Sequence, residues 1–126
     1  MKVNVQKQVW ILDDDQSVLD VMEAILNEDG YTVRRFMEES VLRGALERNI
    51  PALLFIDILL SESDGRTLAL SLKSDPRFAD IPLILMSANS RFLEDTGKIK
   101  SDDILNKPFE LQDLLHKVRK FIQPHK

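Results

Sequence analysis

Three consecutive carboxylates, Asp13, Asp14 and Asp15, follow directly on the apolar run Val9 to Leu12. Like charges this close disfavour one another's ionisation unless something positive offsets them. Other chemistry-bearing residues stand in the same position, immediately behind a short apolar run: Asp57 behind Ala52 to Ile56, Ser87 with Ala88 behind Leu83 to Met86, and Lys107 with Pro108 behind Asp103 to Asn106. Brought together, three or four carboxylates, a hydroxyl and a lysine form a site of hard oxygen donors. Such a set calls for a hard divalent cation. Mg²⁺ suits a site that supplies one or two carboxylates and leaves water and phosphate oxygens to complete an octahedron. The chemistry that follows is phosphoryl transfer: a carboxylate attacks phosphorus while the lysine and hydroxyl hold the phosphoryl oxygens that carry the transition-state charge.

Whether these residues meet depends on the elements that carry them. Val9 to Leu12, Ala52 to Ile56 and Leu83 to Met86 lack in/out alternation, so they read as strands buried on both faces of a parallel sheet. Tyr31 to Phe36 is a weaker strand, and Asp103 to Asn106 a short fifth. Helical spacing fills the intervals: Val18, Leu19, Met22, Ile25 and Leu26; Val41, Leu42, Ala45 and Leu46; Leu68 and Leu72; and Leu111, Leu114, Leu115, Val118 and Ile122. Residues 87 to 102 carry few large apolar side chains and predict a short or poorly anchored helix. Gly30 stands where the first helix should end, and Pro51 and Pro82 stand just before strands that they cannot interrupt.

Strand and helix alternate throughout, which predicts an α/β domain with right-handed crossovers and helices on both faces of a parallel sheet. Ligands in such sheets bind outside the carboxyl ends of the strands, the edge from which all the residues above project. The chain of 126 residues is expected to be one domain, 1–126, with its core at about 9–122.

Composition narrows the function. Hydrophobic residues make up 44% and charged residues 30%, and the net charge of −4 lacks the basic surface that direct nucleic-acid binding needs. No apolar stretch is long enough to span a bilayer, MKVNVQKQ has no signal-peptide core, and there is no cysteine. A cytoplasmic protein is expected.

Four motifs in order, the acidic pair Asp13-Asp14, Asp57 ending the third strand, Ser87-Ala88 after the fourth and Lys107-Pro108-Phe109 after the fifth, resemble the receiver domain of two-component response regulators. Each motif is weak alone, but the ordered set is specific, and the resemblance runs from about Val9 to Ile122. It implies a flavodoxin-like, doubly wound five-stranded sheet of order 2-1-3-4-5. It also implies a signalling phosphoacceptor rather than an enzyme proper, taking a phosphoryl group from a histidine kinase or phosphotransfer protein with Mg²⁺ and later losing it by hydrolysis. Carried over by position, Asp57 would be the phosphoacceptor, and Asp13 and Asp14 would hold Mg²⁺, Asp14 directly and Asp13 through water. The Leu59 backbone carbonyl would be a further ligand. Ser87 and Lys107 would each hold a phosphoryl oxygen, Ala88 would leave room for the phosphate, Pro108 would follow a cis peptide, and Phe109 would anchor its loop in the core.

Other residues have plainer readings. Asp15 falls outside the acidic pair and reads as a helix N-cap, as does Asp64 before Gly65. His116 and His125 lack metal-ligand spacing, and Lys117, Arg119 and Lys120 read as a solvated helix end. The chain also departs from the family pattern. Leu60 and Ser61 replace a common Met-Pro, which points to a looser loop, and Lys100 and Ser101 replace a small Gly-Ala turn. Ile104 stands where many receivers carry an aromatic switch residue.

The leading expectation is a phosphorylatable receiver acting through a downstream protein. It would be monomeric or weakly dimeric and, if the chain is full length rather than a fragment, stand-alone. The alternative is a receiver-like interaction module that phosphorylation does not regulate, favoured by Ile104 and opposed by the complete acidic site. A third reading, a phosphatase with its nucleophile at Asp13, rests on Asp13 to Ser17 fitting a loose D-x-D-x-S pattern resembling haloacid-dehalogenase-type phosphatases.

Overall fold

The computed structural model describes residues 8–61, 63–88 and 101–122. Five parallel strands, β1 (Gln8–Leu12), β2 (Thr32–Phe36), β3 (Leu53–Asp57), β4 (Leu83–Ser87) and β5 (Asp103–Asn106), form one sheet in the order β2-β1-β3-β4-β5. Four helices are described: α1 (Gln16–Glu28), α2 (Glu39–Leu46), α3 (Gly65–Lys73) and α4 (Leu111–Phe121). The helix expected within 87–102 falls largely on residues 89–100, outside the described residues.

The pleat divides the core into two layers. Trp10 and Leu12 of β1, with Leu54, Ile56, Leu83 and Leu85, face α2 and α3 and meet Leu42, Leu46, Leu68 and Leu72. Val9, Ile11, Leu53, Phe55, Ile84 and Met86 point the other way and pack against Leu19, Met22 and Leu26 of α1 and Leu114, Leu115 and Val118 of α4. With both faces covered, every side chain of β3 and β4 is buried, and each large aliphatic one contributes about 1.5–3 kcal/mol by leaving water. The outer strand β2 alternates instead, with only Phe36 fully enclosed.

Polar residues set the helix ends. Asp15 caps α1, accepting from both the backbone N–H (2.9 Å) and the hydroxyl (2.6 Å) of Ser17. Asp64 caps α3 through the Arg66 N–H. After α1 the chain turns at Gly30, whose φ of 92° favours glycine. The basic end of α4 is solvent-facing at Arg119 and Lys120, as expected, and is ion-paired as well. Lys117 and Lys120 both donate to Asp103 of β5, and Arg119 to Asp29 after α1, so the three cations tie α4 to its neighbours.

The strand register builds the functional edge. Leu12 pairs with Ile56, Asp57 with Met86, and Ser87 with Asn106. Asp13, Asp57, Ser87 and Lys107 therefore all emerge at the carboxyl end of the sheet, within one or two residues of one another across neighbouring strands.

Candidate functional site

Asp13 is fully buried and Asp57 is 6% exposed, while Asp14 is half-buried at the mouth. Each can offer a carboxylate oxygen such that all three oxygens lie within 4.8 Å of one another. Lys107 supplies the local positive charge. Its Nζ donates to Asp13 Oδ2 at 2.5 Å and lies 3.3 Å from Asp57 Oδ1. The other Asp13 oxygen accepts the Asp15 N–H at 2.9 Å. Asp14 Oδ2 accepts the hydroxyl of Ser61 at 2.5 Å.

Three carboxylates facing one ammonium leave the site negative. Two unit charges about 5 Å apart repel by roughly 3 kcal/mol at an effective dielectric near 20. Burial, and then the Asp13 carboxylate beside it, push Asp57 up to about 6, against the pull of Lys107. Burial works against the charge on Lys107 as well, but its hydrogen bond to Asp13 and the two carboxylates prevail and hold its pKa above the ordinary lysine value. The excess of hard oxygen donors over cations fits a divalent ion of the Mg²⁺ type.

The sequence-predicted residues are placed as follows. Asp13, Asp14, Asp57 and Lys107 meet as described. Ser87 ends β4, 1% exposed, one position beyond the residue paired with Asp57, and its carbonyl accepts the Lys107 N–H at 2.9 Å. Leu59 stands two residues after Asp57 and is 55% exposed. The Lys107–Pro108 peptide is cis, and Phe109 packs half-buried against the α1/α4 layer, both as expected. Asp15 is turned to the α1 terminus, and Ala88 is exposed beside Ser87.

Two contributors were not foreseen. Ser61, read as part of a looser loop, bonds Asp14, and its loop is closed by an isolated bridge between Leu59 and Asp64 and by the Gly65 N–H donating to the Ile58 carbonyl at 2.8 Å. Gly65 begins α3 so close to the β3 terminus that a Cβ there would lie 2.1 Å from the Asp57 carbonyl oxygen. Periodicity carries no sign of the first, and a glycine directly after the Asp64 cap was the available sign of the second.

Comparisons with known proteins agree with this fold. A family model described as "Response regulator receiver domain" matches residues 9–119. The DNA-binding dual master transcriptional regulator RpaA of Synechocystis is 29% identical over 118 residues, which cover 92% of this chain and 49% of that protein. The chain thus spans about half the length of that curated relative, and also about half of the Pseudomonas aeruginosa transcriptional regulatory protein GltR, at 28% identity. Among solved structures, a Chloroflexus aurantiacus chain assigned as a response regulator superposes with a TM-score of 0.85 at 28% identity, covering 91% of this chain and 96% of that one. The receiver domain of the sensor histidine kinase PA1611 from Pseudomonas aeruginosa, solved with a magnesium ion in its active-site cleft, shares the fold with a TM-score of 0.82 at 20% identity, covering 91% of this chain and 96% of that one. The match over nearly the whole chain, on a sheet whose carboxyl edge gathers Asp13, Asp14, Asp57 and Lys107, makes this chain a member of the response regulator receiver domain family of two-component systems.

Proposed function

We propose that this receiver accepts a phosphoryl group on Asp57 in a Mg²⁺-dependent reaction and passes the resulting change to a partner protein. The observation that carries the reading is the placement of Asp57: a nearly buried carboxylate at the end of a central strand, ion-paired to Lys107 and facing two further carboxylates. Asp13, Asp14, Asp57 and the backbone carbonyl of Leu59 would hold the ion. When bound, Mg²⁺ offsets the charge of the incoming phosphate and of the transition state. An Asp57 oxygen attacks phosphorus, an O–P bond forms, and the P–N bond to a donor phosphohistidine breaks with its electron pair leaving on the imidazole. Lys107 and the Ser87 hydroxyl hold phosphoryl oxygens, and Ala88 supplies an uncrowded approach. The product is an acyl phosphate, whose hydrolysis restores Asp57.

Receiver domains work with histidine kinases, so a sensor kinase or a phosphotransfer protein is the proposed donor, and an output protein the proposed recipient of the signal. No described helix is long and apolar enough to cross a membrane. A cytoplasmic site of action, a single receiver unit over 1–126, a monomer or weak dimer, and no direct nucleic-acid contact complete the proposal.

Intact-protein mass after incubation with acetyl phosphate or phosphoramidate tests it. One phosphoryl adduct that requires both Mg²⁺ and Asp57, and is absent from Asp57→Asn, is the expected result. A second reading, an interaction module that phosphorylation does not regulate, is favoured by Ile104, an aliphatic side chain packed against the α2/α3 layer where many receivers carry an aromatic residue. It predicts no adduct from either small donors or a phosphorylated donor protein, despite an intact fold. Phosphate-ester hydrolysis surviving Asp57→Asn would instead point to Asp13 as nucleophile.

A further inference from the structure

We infer that Ser61 is a positioning residue for the cation site, orienting Asp14 so that a charged oxygen faces the incoming ion. The inference rests on the Mg²⁺ reading above and concerns how this particular chain builds the site.

The two acidic residues of the β1–α1 turn are held in opposite electrostatic ways. Asp13 is fully buried and its charge is neutralised by the Lys107 ammonium at 2.5 Å. Asp14 is half-buried, and its Oδ2 accepts a neutral hydroxyl, that of Ser61, also at 2.5 Å. A hydroxyl fixes direction without cancelling charge, so Asp14 keeps its negative charge for a cation while losing rotamer freedom. Without that bond, repulsion from Asp13 and Asp57, whose oxygens lie within 4.8 Å, favours rotation of Asp14 out toward water.

The hydroxyl is well placed because its loop is braced on the acceptor strand. Ser61 lies four residues after Asp57, in a loop closed by the Leu59–Asp64 bridge, by the Leu60 N–H donating to Ser63 O at 3.2 Å and by the Gly65 N–H donating to Ile58 O at 2.8 Å. The Ser61–Asp14 bond therefore joins the loop leaving β3 to the turn leaving β1, across the mouth of the site. Partners that orient a metal-ligating carboxylate typically govern metal affinity by tenfold or more when the ligand is otherwise free to turn. Ser61, exposed and neutral, stands at or below the lower end of that range.

Isothermal titration of Mg²⁺ into the unphosphorylated protein tests this with wild type, Ser61→Ala, Ser61→Thr and Asp14→Asn. Ser61→Ala should weaken Mg²⁺ binding roughly three- to tenfold, and Ser61→Thr, which keeps the hydroxyl, should restore it to within about twofold. Asp14→Asn should lose more than Ser61→Ala. Equal or tighter binding by Ser61→Ala overturns the inference while leaving the Mg²⁺ site standing, and so does a loss that threonine fails to restore. Absence of saturable Mg²⁺ binding by the wild type removes the Mg²⁺ reading itself, and this inference with it.

Discussion

The Lys107 ammonium bridges two carboxylates, 2.5 Å from Asp13 just beyond β1 and 3.3 Å from Asp57 at the end of β3. The bridge links β1, β3 and the β5–α4 loop, and it solves a folding problem as well as a chemical one. Asp13 is fully buried, and a buried carboxylate without a cation costs several kcal/mol.

Lys107→Met should consequently destabilise the metal-free protein by about 3 kcal/mol in chemical denaturation. Millimolar Mg²⁺ should recover part of the loss, because a second cation then faces the same carboxylates. Equal stability of variant and wild type without metal would show that the Lys107 ammonium does not offset the burial of Asp13, contrary to the geometry.

Asp57 supplies a prediction of opposite sign. Its native pKa of about 6 lies above the ordinary 3.8, so its contribution to stability is fully present below about pH 4 and is lost as pH rises through 6. Near pH 7.5 the ionised carboxylate is then a net burden on the metal-free fold, and the gap in pKa corresponds to as much as about 3 kcal/mol. Asp57→Asn should raise the metal-free unfolding free energy by about 1–3 kcal/mol near pH 7.5 and by much less near pH 4.5. Under the proposed phosphoacceptor role, protonation of Asp57 would compete with both cation binding and nucleophilic attack. The rate of adduct formation at limiting Mg²⁺ should fall by up to about tenfold per pH unit below 6. A pH-independent rate between about 5 and 7.5 would contradict the raised pKa.

Gly65 and Gly44 make a paired prediction from geometry alone. A Cβ at Gly65 would sit 2.1 Å from the Asp57 carbonyl oxygen, a backbone atom that cannot step aside without moving Asp57 itself. Gly65→Ala should cost about 3 kcal/mol or more and slow phosphorylation of whatever remains folded. Gly44 lies in α2, and a Cβ added there would meet nothing within 4 Å, so Gly44→Ala should stabilise by about 0.5–1 kcal/mol through helix propensity, with adduct formation unchanged. Thermal melts of the two variants beside wild type check both signs at once.

The contrast between these glycines marks where the sequence is legible. β1, β3 and β4 can be read from their apolar runs because the sheet is covered on both faces, and the convergence of Asp13, Asp57 and Lys107 then follows from topology. β2 reads weakly because it is an outer strand with Thr32 and Arg34 exposed. The Ser61–Asp14 bond spans 47 residues between two turns, and no periodicity encodes it. The ion pairs of the exposed basic residues of α4 were not legible because helix spacing says nothing of Asp103, which lies 14 residues before Lys117 on the adjacent strand.

That last pairing supports a stability prediction remote from Asp57. Burial works against the charge on Asp103, but hydrogen bonds from Lys120, Lys117 and the Ile104 N–H outweigh it and hold the carboxyl at about 2. A lowered native pKa means stability that is fully present above about pH 4 and is lost as pH falls toward 2. The gap from 3.8 to about 2 corresponds to about 2 kcal/mol. Solvent screening reduces that toward about 1 kcal/mol, because the Lys120 side chain is 46% exposed although Asp103 itself is only 13% exposed. Asp103→Asn should thus cost about 1–2 kcal/mol near pH 7, with the deficit shrinking in molar salt and vanishing near pH 2. Since Asp103 begins the edge strand β5 and both lysines belong to α4, the loss should register first as faster amide exchange in β5 and α4, with β1 and β3 keeping their protection. Uniform loss of protection across the sheet would mean that the Asp103 pairs stabilise the whole fold rather than the seam between β5 and α4.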